Sequence, residues 1–323
     1  MKRNQKWLAL LTLIMSVCLL AGCLPVAWVA SYADSEYYKV GNFTYSAKDV
    51  DSVYVHWYEG EILFVESDKE TLSVYENGTT LADAAKLHWY LKKGELRIEF
   101  CEADYASPIA SGEKHLVVEL PKGIDLIVND ASADIKFGSH TFGEVAVYSL
   151  SGDISLESVV ADRTDIGTVS GQLQLGDITA AKRARFITTS GPISVKNINT
   201  KELELSSVSG NITFDSLASS QTVELETTSG AITINELAAN QTDISSVSGA
   251  VKLGLNRGKK LEVESNSGAV EITLANGLGA TVEGVSAKNV AKKTYKLVGG
   301  KYVIGNGSCD IEVETVSGAV TIQ

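Results

Sequence analysis

The residues able to do chemistry in this chain are few and widely spread. Four histidines (His56, His88, His115, His140) and four cysteines (Cys18, Cys23, Cys101, Cys309) occur in 323 residues. A nucleophilic serine needs a base beside it. The serines that recur before glycine, such as Ser170, Ser190, Ser209 and Ser229, have no histidine recurring near them. They read as structural hydroxyls. His56 and His88 each precede a tryptophan in an apolar run, which admits a metal pair or plain packing at a cap. No Gly-Gly-x-Gly-x-Asp calcium roll, phosphate loop, Cys-x-x-Cys or His-Glu-x-x-His occurs. Paired carboxylates that cleave polysaccharides need a cleft walled by long loops, and the short repeat described below leaves little room for loops. No enzyme, cofactor or metal is expected.

One set of charges does recur. Six residues before successive glycines stand Asp165, Arg185, Glu204, Glu224, Asp243, Glu262 and Glu312. If the repeats stack, all but Arg185 form an outward acidic stripe. Like charges on neighbouring strands repel. A solvated surface that keeps the sheet soluble is the plain reading. The functional reading is a binding surface for cationic peptides, divalent ions or a basic partner. The net charge of −12 argues against nucleic acid, whose phosphates would be repelled.

The elements that carry these residues are short β-strands. Gly152, Gly171, Gly191, Gly210, Gly230, Gly249 and Gly268 follow one another at steps of 19, 20, 19, 20, 19 and 19, and Gly318 comes later. Apolar residues recur five before the glycine (Val147, Ile166, Phe186, Leu205, Leu225) and two and four after it (Ile154 and Leu156, Ile212 and Phe214). Period two on each side of a corner alternates side chains in and out. A unit this short buries nothing alone, so the units must stack around a common core. The fold class is therefore all-β: a parallel β-solenoid of about ten 19–20-residue turns, each rising about 4.8 Å, in a rod on the order of 50 Å long. Ala133 and Ala287 continue the array in place of glycine, with about a dozen residues inserted near 292–306 before Gly318. The glycine is expected for its tolerance of positive φ and of close backbone approach. The serine before it and the hydroxyl residue two earlier are both expected to face inward.

Before the array, Val53–Trp57, Gly60 and Glu61–Val65 read as strand, turn and strand, as do Leu87–Leu91, Gly94 and Glu95–Phe100. Residues 49–123 are taken as an N-terminal β cap and 124–323 as the repeats, the two forming one continuous domain. Residues 23–48 read as a tether.

Residues 1–22 read as an export signal: Lys2, Arg3 and Lys6, then the apolar run Trp7–Leu20. Leu20-Ala21-Gly22-Cys23 resembles the lipobox of bacterial lipoproteins, which implies cleavage before Cys23 and a lipid on its thiol. The alternative is an uncleaved transmembrane anchor, since Trp7–Ala30 is long enough to span a bilayer. Both place the rest outside the cytoplasm, with the membrane as one partner. A disulfide needs Cα atoms within about 7 Å. Cys101 in the cap and Cys309 in the last turn are too far apart for that.

Several segments taken together carry a family resemblance: Trp57 before Gly60-Glu61-Ile62, Leu116-Val117-Val118-Glu119-Leu120-Pro121-Lys122-Gly123, the Ser-Gly-x-Ile units, and the ending Ile304-Gly305-Asn306-Gly307-Ser308 with Glu314-Thr315-Val316-Ser317-Gly318. Over about 49–323 the chain resembles the bacterial putative-adhesin family, a domain of unknown function. The resemblance implies a β-helical fold at the cell envelope and, in some relatives, a role in responding to envelope stress or cationic antimicrobials. It carries over no catalytic residues.

Overall fold

The structure is a computed structural model that describes residues 32–77, 81–105, 114–290 and 294–323. The signal region and Cys23 lie outside the described residues. One coil shows how the chain folds. After Gly152, Ile154 and Leu156 point inward, and then Glu157 and Ser158 both lie outward. Two outward residues in succession break the alternation and bend the strand. Val159 and Ala161 follow inward, Asp162 and Arg163 outward at a second bend, and Thr164, Ile166 and Thr168 inward again. Three inward runs per coil make the solenoid three-sided. The next coil repeats this in parallel register, Ile154 on Leu173, Val159 on Ile178 and Ile166 on Phe186. The alternation of 19 and 20 residues is absorbed at the second bend. Ala161 to Arg163 stands against Ala180 to Arg183, which holds one residue more, and the apolar columns on either side keep their partners.

About seven regular turns, Gly152 to Gly268, stack in chain order, fewer than the ten units expected. The other units exist as layers, but at both ends they leave chain order. Ser52–Trp57 lies between Glu95–Glu99 and Asp125–Asp130. The chain therefore lays down its second layer first, then the outermost, then the third. The C-terminal end mirrors this. Cys309–Thr315 pairs with Lys260–Ser265 on one side and with Ala280–Glu283 on the other. The Gly318 turn thus sits directly on the Gly268 turn, and the segment holding Ala287, expected between them, is outermost. Its 3-10 turn, Ala287–Val290, is held by Asn289 Nδ2 donating to Val320 O at 2.7 Å. The expected insertion is an antiparallel hairpin of Tyr295–Val298 and Lys301–Ile304. It covers Ala280–Glu283, whose outer edge would otherwise be open to another chain.

The N-terminal end is covered in the same way. Lys39–Val40 pairs with His88–Lys92, and Phe43–Ser46 with Thr71–Asn77. Residues 39–46, expected in the tether, are thus strands of the cap. Cys101 and Cys309 are buried free thiols in layers at opposite ends.

The Ser-Gly corners differ from expectation in two ways. A Cβ built on Gly210 would overlap Gly191 O, and one on Gly191 would overlap Gly171 O, yet neither glycine has a positive φ. Close approach of stacked backbones, not left-handed geometry, requires glycine there. The serine before the glycine is exposed, because the corner ends the period-two phase. It donates to the carbonyl of the coil below: Ser209 Oγ to Thr189 O at 3.3 Å and Ser229 Oγ to Val208 O at 3.2 Å. The hydroxyl two residues earlier is buried and closes its own corner, as in Ser207 Oγ to Gly210 O at 2.9 Å.

Candidate functional site: an acidic face of the solenoid

The acidic column exists and is in register. Asp165 stands on Arg185, Arg185 on Glu204, Glu204 on Glu224, Glu224 on Asp243, Asp243 on Glu262, and Glu262 on Glu312. Out-of-order layering adds a member that sequence spacing had missed, Glu283 on Glu312. Only the pairing of Ala280–Glu283 reveals it. The ends of the column carry compensating bases. Arg183 and Arg185 reach Glu204 at 3.1 and 3.5 Å, Lys260 reaches Glu262 at 2.6 Å, and Lys301 reaches Glu283 at 2.8 Å. Asp165, beside Arg185, belongs to a mixed region; the acidic run proper begins at Glu204.

A second column two residues on strengthens the run: Glu226, Ser245, Glu264 and Glu314 stack in order. The neighbouring face carries Ser155, Gln174, Ser194, Thr213, Thr233, Lys252 and Glu271 in the corresponding outward positions, one base and one acid among neutral residues. Negative charge is therefore concentrated on one side and toward the C-terminal end. Adjacent rungs about 4.8 Å apart repel by about 1 kcal/mol or less in water, and salt screens this further. A cationic ligand along the column would relieve several of these repulsions together.

The histidines do not form a site. His56 and His88 are both ladder partners of Glu99, one on each side. His56 Nδ1 lies 3.2 Å from Glu99 Oε2, and this bond holds the imidazole above its usual pKa. His88 is buried and bonds Lys86 O through Nδ1 at 3.0 Å. Among the described residues no group of three or more His, Cys, Asp or Glu is placed to hold a metal ion. His115 begins a cap strand. His140 sits in the core column with Val159 and Ile178, its ring stacked on Phe142 at 4.0 Å. Lys114, which sequence reading had passed over, is buried at the N-terminal end. Its ammonium pairs with Glu76 at 3.1 Å and lies over the rings of Trp57 and Phe100. Burial holds its pKa below the usual value. It satisfies the carbonyls of Ala85 and Phe100 and so closes the end of the core.

Beside the acidic columns, at the Ser-Gly corner of the last layers, lies an open groove of about 720 Å³. Glu264, Glu314, Val247, Val316, Asn266 and Gly284 line it.

No curated protein matches the chain. A crystal structure of a "putative cell adhesion protein" from Clostridium sporogenes aligns over 88% of this chain and 98% of its own, at 11% identity and a TM-score of 0.20, a score at which the likeness carries no argument. The Toastrack DUF4097 family, a family of unknown function, matches residues 61–215 and 180–323. Those two matches overlap at 180–215 and together cover 61–323, the regular turns and the acidic face included, and the chain belongs to the Toastrack DUF4097 family.

Proposed function

We propose that the chain is a non-catalytic binding module of the cell envelope, whose acidic face takes a cationic polypeptide. The observation that carries this is the unbroken run of in-register acids, Glu204, Glu224, Asp243, Glu262, Glu312 and Glu283, on one side of a rigid stack. The rungs, about 4.8 Å apart, and an extended chain, whose like-facing residues advance about 6.6–7 Å, have different periods, so a lysine- or arginine-rich chain would reach the acids through its long side chains rather than one residue per rung. Anchoring through a lipid on Cys23 belongs to the same proposal. It would leave the acidic half of the solenoid remote from the anchored end.

The test is titration of a lysine-rich peptide onto the purified protein at low and high salt. Binding is expected to weaken with salt and to fall about tenfold or more in a Glu224→Lys/Glu262→Lys/Glu312→Lys variant. Unchanged binding in that variant removes the proposal. For the anchor, Cys23→Ser is expected to move the protein from the membrane fraction to the soluble one and to abolish the acyl mass on the mature N-terminus. Retention in the membrane at full precursor mass would favour an uncleaved span.

A further inference from the structure

Between Glu283 and Asp310 the chain carries five lysines, Lys288, Lys292, Lys293, Lys296 and Lys301, and no acid, in a protein of net charge −12. This segment includes the terminal hairpin. Its strand Tyr295–Val298 pairs with Lys301–Ile304, which in turn pairs with Ala280–Val282. Among the described residues no strand covers the other edge of Tyr295–Val298. That edge strand exposes Leu297 at 65% and Val298 at 59%, with Lys296 between Tyr295 and Leu297 also exposed. An uncovered apolar edge strand is a ready docking element.

The groove described above has the complementary character. Two of its walls are the carboxylates Glu264 and Glu314, and two are the exposed Val247 and Val316, at 43% and 82%. Hairpin and groove both belong to the last layers: Gly284, which borders the groove, opens the basic segment. Two complementary patches at one end of a molecule can be exchanged across a two-fold axis, which closes the assembly at two copies.

We propose that two copies of this chain join at their C-terminal ends, the hairpin of each lying in the groove of the other. Lys296 meets Glu264 and Glu314, and Leu297 and Val298 cover Val247 and Val316. Lys301 stays with Glu283 of its own chain, 2.8 Å away, and holds the hairpin out. Glu264 and Glu314 also belong to the second acidic column, so such a dimer would occupy the C-terminal part of the face proposed for a cationic polypeptide.

Sedimentation of the full chain tests it. A dimer is expected at low salt, with dissociation promoted by high salt. Lys288→Glu/Lys296→Glu and Glu264→Lys/Glu314→Lys are each expected to weaken it about tenfold or more, because like charges then face one another. Mixing these two variants restores both complementary contacts, so a mixed dimer of wild-type strength is expected. Restoration also shows that both variants fold. Leu297→Ser is expected to weaken the dimer without changing its salt dependence. A wild-type chain that stays monomeric at all concentrations overturns the proposal. So does a dimer that both charge variants retain undiminished, or a mixture that fails to associate. Peptide titration on the Lys288→Glu/Lys296→Glu variant separates the two readings, since its acidic stripe is intact.

Discussion

Asp130 stands where later coils place serine or threonine. It pairs in register with Ser149, whose Oγ donates to its Oδ2 at 2.8 Å, and Trp57 occupies the place below. Burial pushes this carboxyl up to about 6 from 3.8. The folded protein then holds the proton to higher pH than the unfolded chain does. Its contribution to stability is fully present below about pH 4 and is lost as pH rises through about 6. His140 has the opposite sign. Burial pushes its imidazole down to about 4 from 6.5, so its contribution is full above 6.5 and is lost as pH falls toward about 4. The two slopes oppose one another over the same window. Asp130→Ser is expected to stabilise the protein at pH 7 by on the order of 2–3 kcal/mol more than at pH 4, and His140→Leu to help most at the acid end. Urea denaturation at both pH values measures this; a Asp130→Ser variant whose gain is equal at pH 4 and 7 would refute the first. Accepting Ala133 as a corner places Asp130 in the hydroxyl column, but spacing alone does not say that a carboxyl there is buried. The column that holds His140, with Val159, Ile178, Ile198, Leu217 and Leu237, lies beyond a bend where period two breaks.

At the scale of the coil, glycine spacing and the three apolar columns flanking it were enough to read the architecture. Each coil repeats them, and stacking is the one way such short strands share a core. The bends were not readable, because outward pairs such as Glu157-Ser158 look like ordinary polar residues. The corner also separates two demands that spacing alone merges. Gly210 faces the backbone of Gly191, and a methyl there would overlap a carbonyl that cannot swing aside. Gly138 occupies a bend with nothing within 4 Å of its Cβ position and no positive φ. Gly210→Ala is therefore expected to cost about 3 kcal/mol, near the upper range for overpacking. Gly138→Ala is expected to be neutral or to stabilise by about 0.5 kcal/mol through the unfolded chain. Paired thermal melts decide this: equal losses at the two sites would mean that glycine serves backbone freedom at the corners, contrary to the stacking geometry.

At the scale of the whole molecule, the regular turns could be read in order but the ends could not. Sequence spacing places Ala287 after Gly268 and Gly318 after Ala287, whereas space reverses the last two. A step of 19 residues records only that another corner is due, and not which free edge it will occupy. The reversal has a mechanical consequence. Ala280–Glu283 has two neighbours, the hairpin strand Lys301–Ile304 and Cys309–Thr315, and only the second joins it to the body of the solenoid. The last strands of the chain are therefore the mortar beneath the cap. Truncation after Gly307 removes Cys309–Thr315 and Val320–Ile322 while keeping the whole segment 280–304. The 275–279 connection spans two layers in the intact protein, and in the truncated chain the cap strand has no floor at its proper height. Amide hydrogen exchange is expected to show residues 280–304 losing protection while 154–246 keep theirs, because in a stacked array each layer depends chiefly on its neighbours. The newly bare edge at Lys260–Ser265 is expected to make the truncated protein aggregate. Retained protection over 280–304 would show that the cap strand can drop one layer and stack directly on Lys260–Ser265. Chain order, rather than the intercalated layer, would then be what the C-terminal end requires.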